Sequence, residues 1–314
     1  MNDLLAQLFT AATLAVILAK VTPILLAALG GALTQQANVL NIGLEGMMLL
    51  GAFASISVGI TTGNSFIGLV AGVLAAALLA LIFAIIVLHF HADEIVVGIG
   101  VNLLAVGLTV FLLVTLYGNA GVTPPDKTIT LPKISLGPLA EIPVLGPTLN
   151  DQTVLVWLAF AAVPLCSFLL YRTRFGVHLR AAGEDQAAAQ AAGVRVLRVK
   201  FMSVLLSGVF CGLAGSQLAM ATIGAFSADM TAGRGFIAVA ALTFGLARPV
   251  RTMVAATIFG AADALSDLLG IAGINSNIAL MMPYIITIVA LVFSGLRIRS
   301  LLRGNAQSQK MRPS

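Results

Sequence analysis

The sequence predicts an all-α protein, a polytopic transmembrane bundle with about eight to ten spans that include one or more broken or short helices. Two observations support this fold class. Of the 314 residues, 59% are hydrophobic and only 9% are charged, which leaves too little polar side chain to cover a soluble globule. The hydrophobic residues also form long runs, not the alternating pattern of a membrane β-barrel, so helices must be the spanning elements.

Nine hydrophobic segments follow one another along the chain, and a bilayer core of roughly 30 Å requires about 20 apolar residues per helix. The segments are residues 10–33, 42–60, 66–88, 95–116, 154–170, 201–223, 236–246, 253–269 and 278–296. Segment 236–246 is too short to cross a bilayer by itself, so a broken helix is expected there.

The positive charges predict the orientation of the chain in the membrane. Residues 172–200, the pair Arg248 and Arg251, and residues 297–312 hold 13 of the 17 Lys and Arg residues. Loops rich in Lys and Arg stay cytoplasmic, so we expect a cytoplasmic loop at 171–200 and a cytoplasmic tail at 297–314.

Counting spans outward from these anchors places the loop 118–151 outside the cytoplasm, within a single transmembrane domain that comprises residues 1–314. The net charge of +5 is therefore a topology signal. No basic patch interleaved with aromatic residues suggests a nucleic-acid partner.

The sequence carries no pattern typical of an enzyme or a metal site. It contains no Gly-Lys dipeptide, and so no phosphate-binding loop, and no Gly-x-Ser-x-Gly nucleophile elbow. His89 and His91 are two residues apart, on different faces of a helix, and no second His or Cys cluster completes a metal site. We expect a non-catalytic chain with no metal or cofactor of its own.

A short helix is predicted inside the polar loop 171–200. Gly183 would open this helix and Gly193 would close it, while Glu184 and Asp185 in its first turn complement the helix dipole. The alanine-rich stretch 187–192 strongly favours helix. A solvated connector is one interpretation, but a small-faced helix with glycine boundaries favours docking into the groove of a partner.

Three stretches carry a family resemblance. Residues 183–194 read GEDQAAAQAAGV and residues 206–215 read LSGVFCGLAG; residues 38–53 read NVLNIGLEGMMLLGAF; residues 233–240 read GRGFIAVA. Permeases from ABC importers of the branched-chain amino acid, ribose, simple-sugar and nucleoside class have similar stretches. The first stretch, 183–194 with 206–215, resembles their coupling-helix region. The second, 38–53, resembles their N-terminal signature, and the third, 233–240, resembles the stretch before their broken helix. The second stretch is closest to the simple-sugar and nucleoside branch. One departure is Gly245-Leu246-Ala247-Arg248-Pro249, where relatives often carry Gly-Arg-x-x-Pro.

The resemblance implies a permease that forms half of the translocation pathway of an ATP-driven importer in the bacterial cytoplasmic membrane, also called the inner or plasma membrane. Nucleosides are the first expected solute, simple sugars the second and branched-chain amino acids the third. A cytoplasmic ATPase would bind the ATP, a second permease chain, identical or paralogous, would complete the pathway, and an extracytoplasmic binding protein would deliver the solute. The ATPase-coupling residues implied in this way are Glu184, Asp185, Ala188, Ala189, Ala192 and Gly193.

A polar cluster between the first two apolar segments suggests part of the passage. Polar groups at membrane depth are costly unless they face water or a partner, so an interrupted helix that lines a passage is expected, although an ordinary cytoplasmic turn would explain the same residues. Asn102, two segments later, could join the passage or bond a neighbouring helix. The translocation candidates are Asn38, Asn41, Glu45 and Asn102.

An ion-coupled secondary transporter is the rival interpretation from another class. Asp263 and Asp267 are four residues apart on one face of the penultimate segment and could form a proton or cation site. They lie near the predicted outer end of that helix, where solvation explains them equally well. An ATPase gene beside the gene for this chain would favour the importer.

Overall fold

The computed structural model describes residues 11–124, 127–135 and 145–271. The predicted segment 278–296 and the predicted tail 297–314 lie outside these ranges. The α-helices are α1 (Ala11–Gln36), α2 (Leu44–Thr62), α3 (Ser65–Ala84), α4 (Glu94–Tyr117), α5 (Leu145–Leu149), α6 (Val154–Arg172), α7 (Arg174–Glu184), α8 (Gln186–Ala191), α9 (Val196–Ser216), α10 (Arg234–Phe244) and α11 (Pro249–Ile271). A first π-helical turn (Ile85–His89) extends α3, and a second (Gln217–Ile223) extends α9. The two-residue strands β1 (Lys133–Ile134) and β2 (Gln152–Thr153) pair antiparallel.

Six helices of the described ranges are long and apolar enough to cross a bilayer: α1, α2, α3 with its π-turn, α4, α6, and α9 with its π-turn. They coincide with the first six predicted segments, so the all-α polytopic fold is confirmed. Helix α10 has 11 residues and is a short apolar helix, as expected for the segment 236–246. Helix α11 continues from the first compact unit, which ends at Gly260, into a second unit that begins at Ala261.

Helix α2 lies at the centre of the first unit and α4 at its edge. In the most apolar 18-residue stretch of α2, 78% of the residues are buried within the protein, but in that of α4 only 28% are. Leu103 and Phe111 of α4 are largely exposed. Helices α2, α3 and α9 approach closely through glycines, since a Cβ on Gly72 would lie 2.6 Å from the carbonyl oxygen of Gly51. Small residues allow this close backbone packing where lipid surrounds the bundle.

The polar loop after α6 folds as two short helices, not one, and this corrects the predicted helix boundaries. Gly183 lies inside α7, where a Cβ would collide with the carbonyl oxygen of Gln36, so this glycine serves close packing and does not open a helix. Glu184 is the last residue of α7 and does not belong to the first turn of the next helix. Asp185 has an extended backbone and caps α8. Gly193 follows α8 with φ +83°, the left-handed conformation that ends a helix, as predicted.

Candidate functional site

A break of seven residues, 37–43, separates α1 from α2. Asn38 adopts a positive φ of 54° and is exposed, whereas Asn41 at the other end of the break is buried. The backbone N–H of Leu40 donates to the Glu94 carboxylate at the start of α4. The break therefore begins as a turn at the surface and ends inside the bundle.

Two asparagines hold the inner part of this break. The Asn41 side chain accepts the N–H of Gly43 at 3.0 Å and donates to the Ser207 hydroxyl of α9 at 3.2 Å. The Asn102 side chain of α4 accepts the N–H of Gly46 at 2.8 Å and donates to the carbonyl of Ile42 at 3.1 Å. These bonds satisfy backbone groups that the interrupted helix leaves unpaired.

Glu45 bonds to the start of the short helix α10. Its Oε1 accepts the N–H of Gly233 at 2.8 Å, and its Oε2 accepts the N–H of Gly235 at 2.5 Å. Gly233 has φ +80°, and a Cβ on Gly235 would lie 2.5 Å from the Cα of Glu45. Both positions therefore require glycine, one for its backbone conformation and one for its close approach.

We refer to Asn41, Glu45 and Asn102 as the α2 hub. All three are buried, at 3%, 7% and 9% exposure. Asn102 is eight residues beyond Glu94, or about 12 Å along α4 from its first residue, so the hub lies within the depth of the bundle. The structure brings these three predicted pathway residues together and leaves Asn38 apart at the surface. Their role in translocation stays a prediction. Sequence reasoning missed the partner of Glu45, although two glycines around Arg234 were a signal for it.

The predicted coupling residues lie on and around α8. The Asp185 carboxylate accepts the N–H of Ala188 at 3.0 Å and so caps this helix. The predicted contacts that are exposed are Glu184, Asp185, Ala188, Ala192 and Gly193.

Ala189 is the exception among the predicted coupling contacts. Its side chain is 4% exposed and packs with Ala182 of α7 and Val196 of α9. Because this methyl group faces the protein, it anchors α8 and is not available to a partner. The expected contact at Ala189 is therefore corrected.

Two cavities flank the end of the bundle that carries α8, here called the coupling end. One, of about 540 Å³, lies between α8 and the loop before α4, with His91, Gln190 and Lys200 on its walls. The other, of about 400 Å³, includes Gln36 and Leu246.

The second cavity lies where α1, α7 and the end of α10 meet. The side chain of Gln36 donates to the carbonyl of Ala247 at 3.0 Å, while Gly183 packs on Gln36. Helix α10 thus runs from the α2 hub to the coupling end.

A family model described as branched-chain amino acid transport system / permease component matches residues 13–291. The chain belongs to this permease family. The permease is therefore a multi-pass membrane protein and a subunit of an ABC importer, a class of transporter that works with an ATPase. The ion-coupled interpretation gives way to this finding.

The permease is similar to several curated proteins over most of its length. It is 36% identical to the guanosine ABC transporter permease protein NupQ of Bacillus subtilis, with 86% of this chain and 87% of that protein covered. It is also 36% identical to the nucleoside ABC transporter permease protein NupC of Lactococcus lactis, with 86% and 88% covered. Identity to the putative glucose ABC transporter permease protein TsgC13 of Haloferax volcanii is 32%, with 93% and 94% covered.

A solved structure supports the fold alone. The structure described as an inward-facing conformation of a putative metal-chelate type ABC transporter has a TM-score of 0.51 and 17% identity. The match covers 88% of this chain and 84% of that chain.

Proposed function

We propose that the permease imports nucleosides. The observation that carries this proposal is the 36% identity to two relatives whose names specify guanosine and nucleosides, over 86% of the chain in each case. A sugar is the second candidate, favoured by the 32% identity to a putative glucose permease. The polar side chains of the bundle suit either solute, because both present hydroxyl groups for hydrogen bonding.

We further propose that the exposed surface of α8 and its flanks couples the permease to a separate ATPase. Asp185 and Gly193 bound a short helix whose outward face carries Ala188 and Ala192, and this narrow surface suits insertion into a groove. The ATPase would bind and hydrolyse ATP, and the permease would carry no cofactor of its own and no catalytic step.

The remaining partners belong to the same proposal. A second permease chain, identical or paralogous, would complete the translocation pathway, and an extracytoplasmic binding protein would deliver the solute. The α2 hub and α10 would connect the membrane interior to the coupling end. The first turn of α10 bonds to Glu45, and the chain just after its last residue bonds to Gln36.

Reconstitution tests the choice of solute. The permease, purified with the ATPase, companion permease and binding protein encoded beside it, is placed in proteoliposomes with ATP at the ATPase side. Uptake of radiolabelled guanosine, glucose and leucine is measured, with an ATPase variant unable to hydrolyse ATP as control. We expect ATP-dependent guanosine uptake; uptake of glucose or leucine without guanosine would refute the nucleoside assignment.

A further inference from the structure

A largely apolar pocket that also contains several polar side chains lies at the end of the bundle opposite the coupling end, and none of the predicted pathway residues lines it. It measures about 300 Å³ and is formed by α1, the β1–β2 pair and the second π-helical turn. Lys20 of α1 lines it, 16 residues before Gln36, which places the two about 24 Å apart along the helix. We call this cavity the distal pocket. Its polar lining residues are Lys20, Lys133, Asp151, Gln152, Thr153 and Gln217, of which Lys133 and Asp151 are exposed.

Three of these polar side chains are almost fully buried and fixed in position. Gln217, Thr153 and Gln152 are 1%, 4% and 7% exposed. The Thr153 hydroxyl donates to Gln217 Oε1 at 2.8 Å. The Gln152 side-chain amide donates to the carbonyls of Thr148 at 3.0 Å and Ala15 at 3.3 Å.

These bonds use the Oε1 acceptor of Gln217 and the Nε2 donors of Gln152. Within the described ranges, no protein group bonds Gln217 Nε2 or Gln152 Oε1. Both atoms keep a small solvent-accessible surface. The distal pocket thus offers one fixed donor and one fixed acceptor to a molecule inside it. Both side chains are almost fully buried, yet each of these two atoms keeps some open surface, so water or a solute is the partner left to it.

The local backbone gives independent support. Gln217 is the first residue of the second π-helical turn, which interrupts the regular spacing of α9. Single π-turns are rare and occur frequently at functional sites. Gln217 thus places a buried amide at an irregular turn of the helix, and its bond from Thr153 uses only the Oε1 atom of that amide.

We propose that the distal pocket contacts the solute during its passage, and that the solute class it fits is a neutral heterocycle carrying hydroxyl groups, such as a nucleoside. This inference rests on the proposed function. The volume of the distal pocket is at the lower limit for pockets that bind small molecules, which begin at about 300 Å³. Ala15, Ala19 and Ala221 supply an apolar wall for the flat face of a base, and Gln217 Nε2 and Gln152 Oε1 supply a hydrogen-bond donor and acceptor. A sugar alone would leave that wall unused.

Turnover in the reconstituted complex tests the pocket residues. Gln217→Leu and Gln152→Leu each replace a whole side-chain amide by an apolar group at nearly constant volume. Each removes the pocket-facing atom together with the bonds that position the side chain, to Thr153 in one case and to Thr148 and Ala15 in the other. At saturating binding protein, we expect each to lower guanosine turnover per assembled complex by roughly 3- to 10-fold. Asn119→Leu, which alters an exposed amide outside the pocket, is the matched control and should have no effect. Unchanged turnover in both glutamine variants would overturn the proposal.

Cysteine protection gives a second measurement that does not depend on the glutamine variants assembling. Ala19→Cys is placed in the pocket wall and Thr62→Cys at an exposed helix end, in a chain whose buried Cys166 and Cys211 are replaced. Guanosine delivered by the binding protein should slow modification of the first cysteine by a charged methanethiosulfonate and leave the second unchanged. Equal rates with and without guanosine, in a complex that transports guanosine, would refute the role of the distal pocket and leave the proposed function standing. Protection by glucose in a complex that transports glucose refutes the nucleoside assignment and keeps the pocket.

Discussion

The Glu45 carboxylate accepts the backbone N–H of Gly235 at 2.5 Å, although the two residues are 190 positions apart in the sequence. A short helix that starts inside a membrane has unpaired N–H groups and the positive end of its dipole at its first turn. A carboxylate that accepts two of those N–H groups compensates both. Glu45 therefore joins α2 to α10, and its burial has a structural reason.

The first prediction concerns this carboxylate. Glu45→Gln replaces one acceptor oxygen with an NH₂ group that faces a backbone N–H, so a charge-assisted hydrogen bond worth about 1.5–3 kcal/mol is lost. We expect a lower melting temperature in detergent and less assembled complex. The sequence makes Glu45 a candidate for the translocation pathway, whereas its bonds to Gly233 and Gly235 favour a loss of assembly in this variant.

Normalising uptake to assembled complex distinguishes the two roles of Glu45. Asp229→Asn is the matched control, since Asp229 is exposed outside the α2 hub and its positive φ of 56° is one that Asn also tolerates. Uptake per complex that falls while melting temperature and assembly match the wild type would assign Glu45 to the passage instead.

The second prediction concerns the glycine on the other side of that contact. In Gly235→Ala the new Cβ would lie 2.5 Å from Glu45 Cα, a backbone clash that requires α2 and α10 to separate. We expect destabilisation on the scale of severe single substitutions, about 3 kcal/mol or more. Gly107→Ala in α4 is the control, because nothing lies within 4 Å of its added methyl group. Equal melting temperatures of the two variants would show that α10 does not rest on α2 as described.

The third prediction uses neighbouring alanines with opposite surroundings. Ala188 is exposed on α8, so Ala188→Arg should leave the permease folded in the membrane but prevent the ATPase from co-purifying and from responding to solute. Charge reversal of Glu184 and Asp185 together should give the same result. Ala189 is buried against Ala182, so Ala189→Arg should lower the melting temperature of the permease itself. Full solute-stimulated hydrolysis in Ala188→Arg would refute the coupling assignment.

The sequence was sufficient for the long helices because each is specified by local composition. The first six apolar runs match six helices, and the 11-residue α10 was recognised as too short to span. What local composition cannot specify is which distant group a polar residue bonds. The partner of Glu45 is set by packing between α2 and α10, and the Asn102 bonds to the break before α2 depend on how α4 lies beside it.

The same limit explains the errors at the coupling end and the omission of the distal pocket. Gly183 has the composition of a helix boundary, but its contact with Gln36 comes from tertiary packing. Gln152 and Gln217 are 65 positions apart in the sequence, and the fold brings β2 and the second π-helical turn to one cavity.

The last prediction concerns membrane orientation, which the charge distribution predicts and the structure makes easy to measure. Lys133 in β1 lies opposite Thr153, the residue before α6, whereas Gln190 lies on α8 after that helix has ended. The 19 residues of α6 separate these two ends by about 28 Å, close to the bilayer core, and both side chains are exposed. In a chain whose buried Cys166 and Cys211 are replaced, Lys133→Cys should react with an impermeant maleimide in intact cells, and Gln190→Cys should react only after the membrane is opened. This orientation is expected because Lys and Arg concentrate in residues 171–200. The opposite labelling pattern would place the coupling end outside the cell, where no cytoplasmic ATPase could reach α8.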